Sequence, residues 1–150
     1  MTAAFPTGVA LVAAKAGGRP AGILVNSFTS VSLDPPLVSV NISRSSPTLI
    51  VIEGASEWGI SILADDQHVQ FAALTRQAAE RFDGLELTTS KGGAMLLPGA
   101  AASLLVQLES KFEAGDHFIL LLRVRSLIRR AAAPAIFHDK ALHSLPQSTL

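Results

Sequence analysis

Apolar residues come in short bursts along this chain, and most bursts carry the two-residue period of a strand. "GVALVAAKAGGRPAGILVNSF" holds two such bursts around Gly17, Gly18 and Pro20, which predicts an antiparallel hairpin with strands near 8–15 and 20–27. In "PLVSVNIS", residues 36–43, Val38, Val40 and Ile42 alternate with Ser39, Asn41 and Ser43. A third strand with one apolar and one polar face is expected there. "SSPTLIVIEGA" changes character: Ser46 suits a helix N-cap, Pro47 the first helical position and Gly54 a stop, so a short helix is predicted over 47–53. "EWGISILAD" reads as a strand over 57–64. Beyond it, Val69, Phe71, Ala72, Leu74, Ala78 and Phe82 recur at helical intervals behind Asp65 or Asp66 as cap, with a break near Thr75.

From residue 84 the two-residue period returns. "LELTTS", "ASLLVQLESKF" at 102–112, "HFILLLRVRSLIR" at 117–129 and "PAIFHD" at 134–139 are predicted strands, and "EAGD" is the turn between the two long ones. Seven or so strands, two modest helices and no repeated strand–helix–strand unit predict a mainly β fold. Its expected form is a closed or partly closed antiparallel barrel with a few short flanking helices. One domain over 1–150 is expected, long enough to bury roughly 70% of the surface its unfolded chain exposes. The tail after Leu145, "PQSTL", is expected to fray.

Composition sharpens this picture in three ways. Hydrophobic residues make up 49% of the chain against 16% charged, an apolar excess for a small monomer that points to a buried subunit interface. Twelve basic and twelve acidic residues cancel without a single-sign block, which disfavours nucleic acid and anionic membrane as partners. Cysteine is absent, which removes disulfides, thiolate nucleophiles and thiolate metal sites and suits a reducing cytoplasm. "MTAAFPTGVALVAAK" has no basic region ahead of its apolar stretch and is interrupted by Pro6 and Gly8, so it reads poorly as a signal peptide. No window supplies the eighteen or more apolar residues of a membrane helix. A soluble, cytoplasmic protein is expected.

Candidate chemistry gathers in one region. "NSFTSVSLDPP", Asn26 to Pro36, puts five hydroxyl or amide side chains into seven residues, and seven of the fifteen serines fall between Asn26 and Thr48. Either these serines fill turns and Ser46 merely caps a helix, or the stretch is an anion cradle with Arg44 adding a charge-assisted contact. In "AGDH", a glycine turn sets His117 at the head of a long strand, where it either faces solvent or meets a substrate phosphate or amide. Arg81, in "ERFDG", either answers the helix dipole or reaches a ligand. Arg123 and Arg125 share a strand face of solvated type. His138 and His143, five apart on one strand, would point to opposite faces, so a metal site is not expected. There is no G-x-S-x-G elbow, Walker loop or G-x-G-x-x-G fingerprint, so any dinucleotide binds without a Rossmann fold.

Taken in order, "FPTGVALVAA", "GILVNSFTSVSLDPPLVSVNIS", "SPT", "WGISILADDQ", "ERFDG", "AGDHFILLLRV" and "PAIFHDKALHSL" resemble the short-chain flavin reductases, the reductase components of two-component flavin-dependent monooxygenases. The resemblance runs from about Phe5 to Leu145. It implies a homodimeric FMN-binding split barrel of Greek-key type that takes a hydride from NADH or NADPH, passes it to FMN or FAD, and supplies reduced flavin to an oxygenase. By position it implies Asn26, Ser27 and Ser32 near the isoalloxazine, Asn41, Ile42 and Ser43 along the ribityl and phosphate region, and Ser46 and Thr48 at the phosphate. Arg81 and Phe82 would lie near the flavin, and His117 would contact the nicotinamide nucleotide. Two alternatives stand beside it: a non-catalytic flavin carrier, and an enzyme that uses fixed FMN on its own substrate. Leu142 stands where an aromatic is common in such proteins.

Overall fold

A computed structural model describes residues 3–146; the last four residues, most of the tail expected to fray, lie outside the described range. The chain opens with the predicted hairpin, β1 (Ala10–Ala16) and β2 (Arg19–Val25), paired so that Ala16 faces Arg19. Gly17 and Gly18 make the turn at φ of 56° and 77°. A two-residue hairpin turn needs positive φ at both positions, and glycine supplies it without a steric cost.

The hydroxyl-rich stretch is itself a strand. β3 (Thr29–Leu33) pairs with β4 (Pro36–Ser43), and the register slips between Ser30 and Ser32. The two-residue period predicts no strand there because β3 is an exposed edge and buries no apolar face. On β4 the expected alternation holds: Val38, Val40 and Ile42 are buried and Ser39, Asn41 and Ser43 are not.

Helix α1 (Pro47–Ile52) sits where the Ser-Pro start and Gly54 stop place it. Ser46 has extended N-cap dihedrals, but its hydroxyl makes no capping hydrogen bond, which corrects the capping expectation. β5 (Trp58–Ile62) follows. Helix α2 (His68–Leu74) starts behind Gln67 rather than behind Asp65 or Asp66. The backbone there is still committed to extended pairing: Asp65 N donates to Ala133 O at 2.9 Å and Ala64 bridges Pro134. The helix ends at Thr75 as expected, and one 3-10 turn, Ala78–Glu80, follows.

"LELTTS" contributes only β6 (Thr88–Thr89), paired with β7 (Met95–Leu96). Leu85 and Leu87 pack on the core instead of joining a ladder. The long hairpin of β8 (Ala102–Ala114) and β9 (His117–Arg129) matches its prediction closely. "PAIFHD" narrows to β10 (Ile136–His138), which pairs with β11 (Ala141–His143). His138 and His143 therefore stand on two strands, with ring centroids 6.0 Å apart, and not on opposite faces of one. Among the described residues no group of three His, Cys, Asp or Glu is placed to hold a metal ion.

The main sheet runs β2-β1-β5-β8-β9-β4-β3 with every pair antiparallel. Val25 of β2 and Val38 and Val40 of β4 belong to one buried cluster, with Trp58, Ile60, Leu120 and Leu122 at its centre. Burial of each such large side chain stabilises the fold by roughly 1.5–3 kcal/mol before chain entropy is counted. A second cluster lies on the other face, built from Leu11, Leu63, Leu74 and Leu97 and flanked by Phe71, Phe82 and Phe137. No helix among the described residues is long and apolar enough to cross a membrane.

Candidate functional site

Four polar residues of the 26–48 region, Asn26, Ser27, Asn41 and Ser43, meet where β2 ends, β4 ends and β9 begins. Ser43 faces His117 and Asn41 faces Ile119 in the β4–β9 register. Asn26 and Ser27 come off β2 beside them, and together these residues line a recess of about 660 Å³. Asn26, Ser27, Asn41, Ile42, Ser43 and His117 are thus brought together, against aliphatic walls that include Ile23, Leu24 and Ile119. A recess with apolar walls and a rim of amide, hydroxyl and imidazole groups suits a planar apolar ring with polar edges.

The rim is partly fixed by its own hydrogen bonds. Ser27 Oγ accepts from Asn41 N at 2.9 Å and donates to Asn41 O at 3.2 Å. Ser43 and Ser45 hydroxyls lie 3.0 Å apart. His117 Nδ1 lies 2.7 Å from Asp116 Oδ1, and this hydrogen bond, reinforced by charge, holds the Asp116 carboxyl below the usual aspartate range. Asn26, Ser27 and Asn41 also border a second hollow, of about 550 Å³, against Phe5, Thr7 and Ile62. Thr7 Oγ1 there is buried and has no hydrogen-bond partner among the described residues.

A smaller hollow, about 270 Å³, continues along β2 toward its start. Arg19, Gly22, Pro47, Thr48 and Ala78 line it. Arg81 reaches in from beyond the 3-10 turn: its Nη1 donates to Gly22 O at 2.7 Å and lies 3.5 Å from Thr48 Oγ1, while its Nε donates to Arg76 O at 3.0 Å. The Phe82 ring approaches Gly22 so closely that a Cβ there would come within 2.7 Å of Phe82 Cζ. Thr48, Arg81 and Phe82 are therefore gathered around Gly22, one residue along β2 from the Ile23 wall of the recess. Ser46 is buried just ahead of α1, its N–H donating to Ser43 O at 3.1 Å.

Two residues stand elsewhere. Ser32, on β3 opposite Leu37, lines neither the recess nor the smaller hollow. Arg44 is turned to the β8–β9 hairpin, where Nη1 donates to Gly115 O at 3.3 Å and Nη2 lies 3.5 Å from Glu113 Oε1. Arg44, the residue considered for a charge-assisted anion contact, thus meets the hairpin turn and is not among the residues lining the recess. Arg123 makes a two-bonded pair with Glu109, at 2.9 and 2.8 Å, which holds Glu109 below and Arg123 above their ordinary pKa ranges. Arg19, to which its residue type and spacing assign no role, lines the smaller hollow. The signal was present in the strand alternation, which puts Arg19 on the same side of β2 as Ala21 and Ile23.

The chain is similar to known proteins over most of its length. The actinorhodin polyketide dimerase of Streptomyces coelicolor is 35% identical over 145 residues, covering 95% of this chain and 82% of that protein. The FMN reductase (NADH) of Agrobacterium fabrum is 37% identical over 138 residues, covering 92% of this chain and 79% of that protein. Among solved structures, the styrene monooxygenase flavin reductase of Pseudomonas putida S12 has a TM-score of 0.85 at 30% identity, covering 97% of this chain and 95% of that one. The sequence model of the flavin reductase like domain matches residues 1–146, and the chain belongs to that family.

Proposed function

We propose that this chain is an NAD(P)H:flavin oxidoreductase that reduces FMN, or FAD, and supplies reduced flavin to a partner monooxygenase. The observation that carries this reading is the recess where Asn26, Ser27, Asn41, Ser43 and His117 ring aliphatic walls, continued by the smaller hollow at Thr48. Its donor set fits a flavin: apolar walls for the ring, amide and hydroxyl groups for the ring edge and ribityl chain, and a basic, hydroxyl-bearing end for the phosphate. Flavin, when bound, supplies the hydride-accepting ring, so the protein's share is binding and orientation.

Within that division of work, Asn26 borders the ring, and Ser27 holds the Asn41 peptide instead of facing the ligand with a free hydroxyl. Asn41, Ile42 and Ser43 flank the ribityl chain. Ser46 and Thr48 receive the phosphate, with Arg81 and Phe82 shaping the wall at Gly22. His117, oriented by Asp116, meets the nicotinamide nucleotide across the recess. Ser32 has no part in this reading.

The same reading makes the chain one split-barrel domain. Support comes from the core shared by Val25 and Val38, whose strands stand first and sixth in the sheet order. A homodimer is supported by exposed Leu33, Leu127 and Ile128, which a second copy would cover. The monooxygenase partner is supported by the name of the Pseudomonas putida reductase, and a cytoplasmic location by the cysteine-free composition.

Purified protein with saturating FMN and either NADH or NADPH is expected to oxidise the nucleotide at a rate that rises with added FMN. No oxidation above background with either nucleotide overturns the reading. The polyketide dimerase relative favours a second reading, in which the same fold keeps its flavin and acts on its own substrate. Flavin that stays with the protein through gel filtration, together with absent flavin turnover, would favour that alternative.

A further inference from the structure

We infer that Arg19 adds the free guanidinium that pairs with the flavin phosphate beside Thr48, and that it makes the site selective for phosphorylated flavin over riboflavin. The inference rests on the flavin reading above and adds to it a residue and a selectivity. Thr48 brings a hydroxyl to the smaller hollow, but a hydroxyl alone does not balance a phosphate charge. Two other arginines near the polar region already have partners. Arg44 is held by Glu113 and the Gly115 carbonyl, on the hairpin turn. Arg81 spends Nε on Arg76 O and Nη1 on Gly22 O, so its guanidinium braces the wall and sets a fixed positive charge 3.5 Å from Thr48 Oγ1, with those two donors already used.

Arg19 differs from both. It is exposed, it lines the hollow with Thr48, and among the described residues it has neither an ion pair nor a side-chain hydrogen bond. Its backbone is fixed at the start of β2 by the Gly17–Gly18 turn and by pairing with Ala16. A guanidinium on a strand end, lining the same open hollow as a threonine, suits a forked contact with phosphate oxygens. Ala21 of the hollow and Ile23 of the recess lie two residues apart on one face of β2, so the two openings follow one another along that face, in line for one elongated ligand.

The test compares FMN with riboflavin, which share the ring and ribityl chain and differ in the phosphate. Wild type, Arg19→Ala, Arg19→Glu and Arg19→Lys are titrated with each flavin by fluorescence quenching, with urea midpoints as a fold check. Arg19→Ala is expected to weaken FMN about tenfold and leave riboflavin unchanged, with a larger loss in Arg19→Glu and a smaller one in Arg19→Lys. Unchanged FMN affinity in Arg19→Ala, or equal loss for both flavins, overturns the inference while the flavin reading stands. Failure of wild type to bind either flavin overturns the flavin reading itself, and this inference with it.

Discussion

The Ser27 hydroxyl engages both sides of the Asn41 peptide unit, accepting from its N–H at 2.9 Å and donating to its carbonyl at 3.2 Å. β2 and β4 are not neighbours in the sheet, so this hydroxyl ties the end of one to the end of the other across the mouth of the recess. Ser27→Ala is expected to cost only about 1 kcal/mol of stability, because Asn41 is exposed and water replaces the lost bonds. FMN affinity should fall by more than that cost implies, since Asn26 loses its anchor. Urea unfolding and FMN titration measure the two effects separately; FMN affinity equal to wild type would refute the anchoring role.

His117→Ala should raise KM for the nicotinamide nucleotide about tenfold, the worth of one good polar contact, while leaving FMN affinity unchanged. Steady-state kinetics with nucleotide varied, alongside an FMN titration, checks this. A fall in FMN affinity with KM unmoved would assign His117 to the flavin instead.

Gly59→Ala should destabilise the fold by about 3 kcal/mol, because the added Cβ would run into the Met95 carbonyl, and backbone cannot step aside as a side chain can. The urea midpoint is the readout. A midpoint within error of wild type would mean that β7 packs more loosely on β5 than described.

Gln67→Leu should also cost about 3 kcal/mol. Gln67 is buried, its Oε1 accepting from Ala64 N and its Nε2 donating to Pro98 O, each at 3.0 Å. Leucine leaves both backbone groups without those partners. Thermal or urea unfolding of the variant tests it, and a near-neutral result would indicate that water reaches both groups.

Acid should weaken the fold through Glu109. Its hydrogen bond from Arg123 lowers its pKa below the ordinary 4.5, so its contribution is fully present above that value. It is then lost as pH falls through the depressed folded-state value. The difference in urea midpoint between wild type and Glu109→Gln should be flat from neutral pH down to about 4.5 and shrink below it. A difference that grows on acidification contradicts the pairing. Asp116 follows the same sign, with its loss lying below its ordinary 3.8.

Much of this was legible along the chain, for a local reason. The period of two in "PLVSVNIS" names the buried face of β4, and the Gly-Gly turn and the "EAGD" turn name the two hairpins, because a hairpin strand pairs with its sequence neighbour. Helix α1 lies where Pro47 and Gly54 put it. Edge strand β3 escaped the pattern because it has no apolar face to write into it, and the start of α2 escaped because a distant backbone partner, Ala133, holds Asp65 extended.

Residue types and their order determined the mainly β class, the polar stretch from Asn26 to Thr48 and the family to which the chain belongs. Only the tertiary structure decided which of those polar groups face one another. The β4–β9 pairing that sets Ser43 beside His117 joins segments far apart in the chain, and no local period encodes it. The fate of each arginine was decided in the same way: Arg44 by Glu113 on the long hairpin, Arg81 by the Gly22 carbonyl, and Arg19 by the hollow it faces. A side chain's charge is written in the sequence, but the partner that claims it depends on which strands the packing of the core brings together.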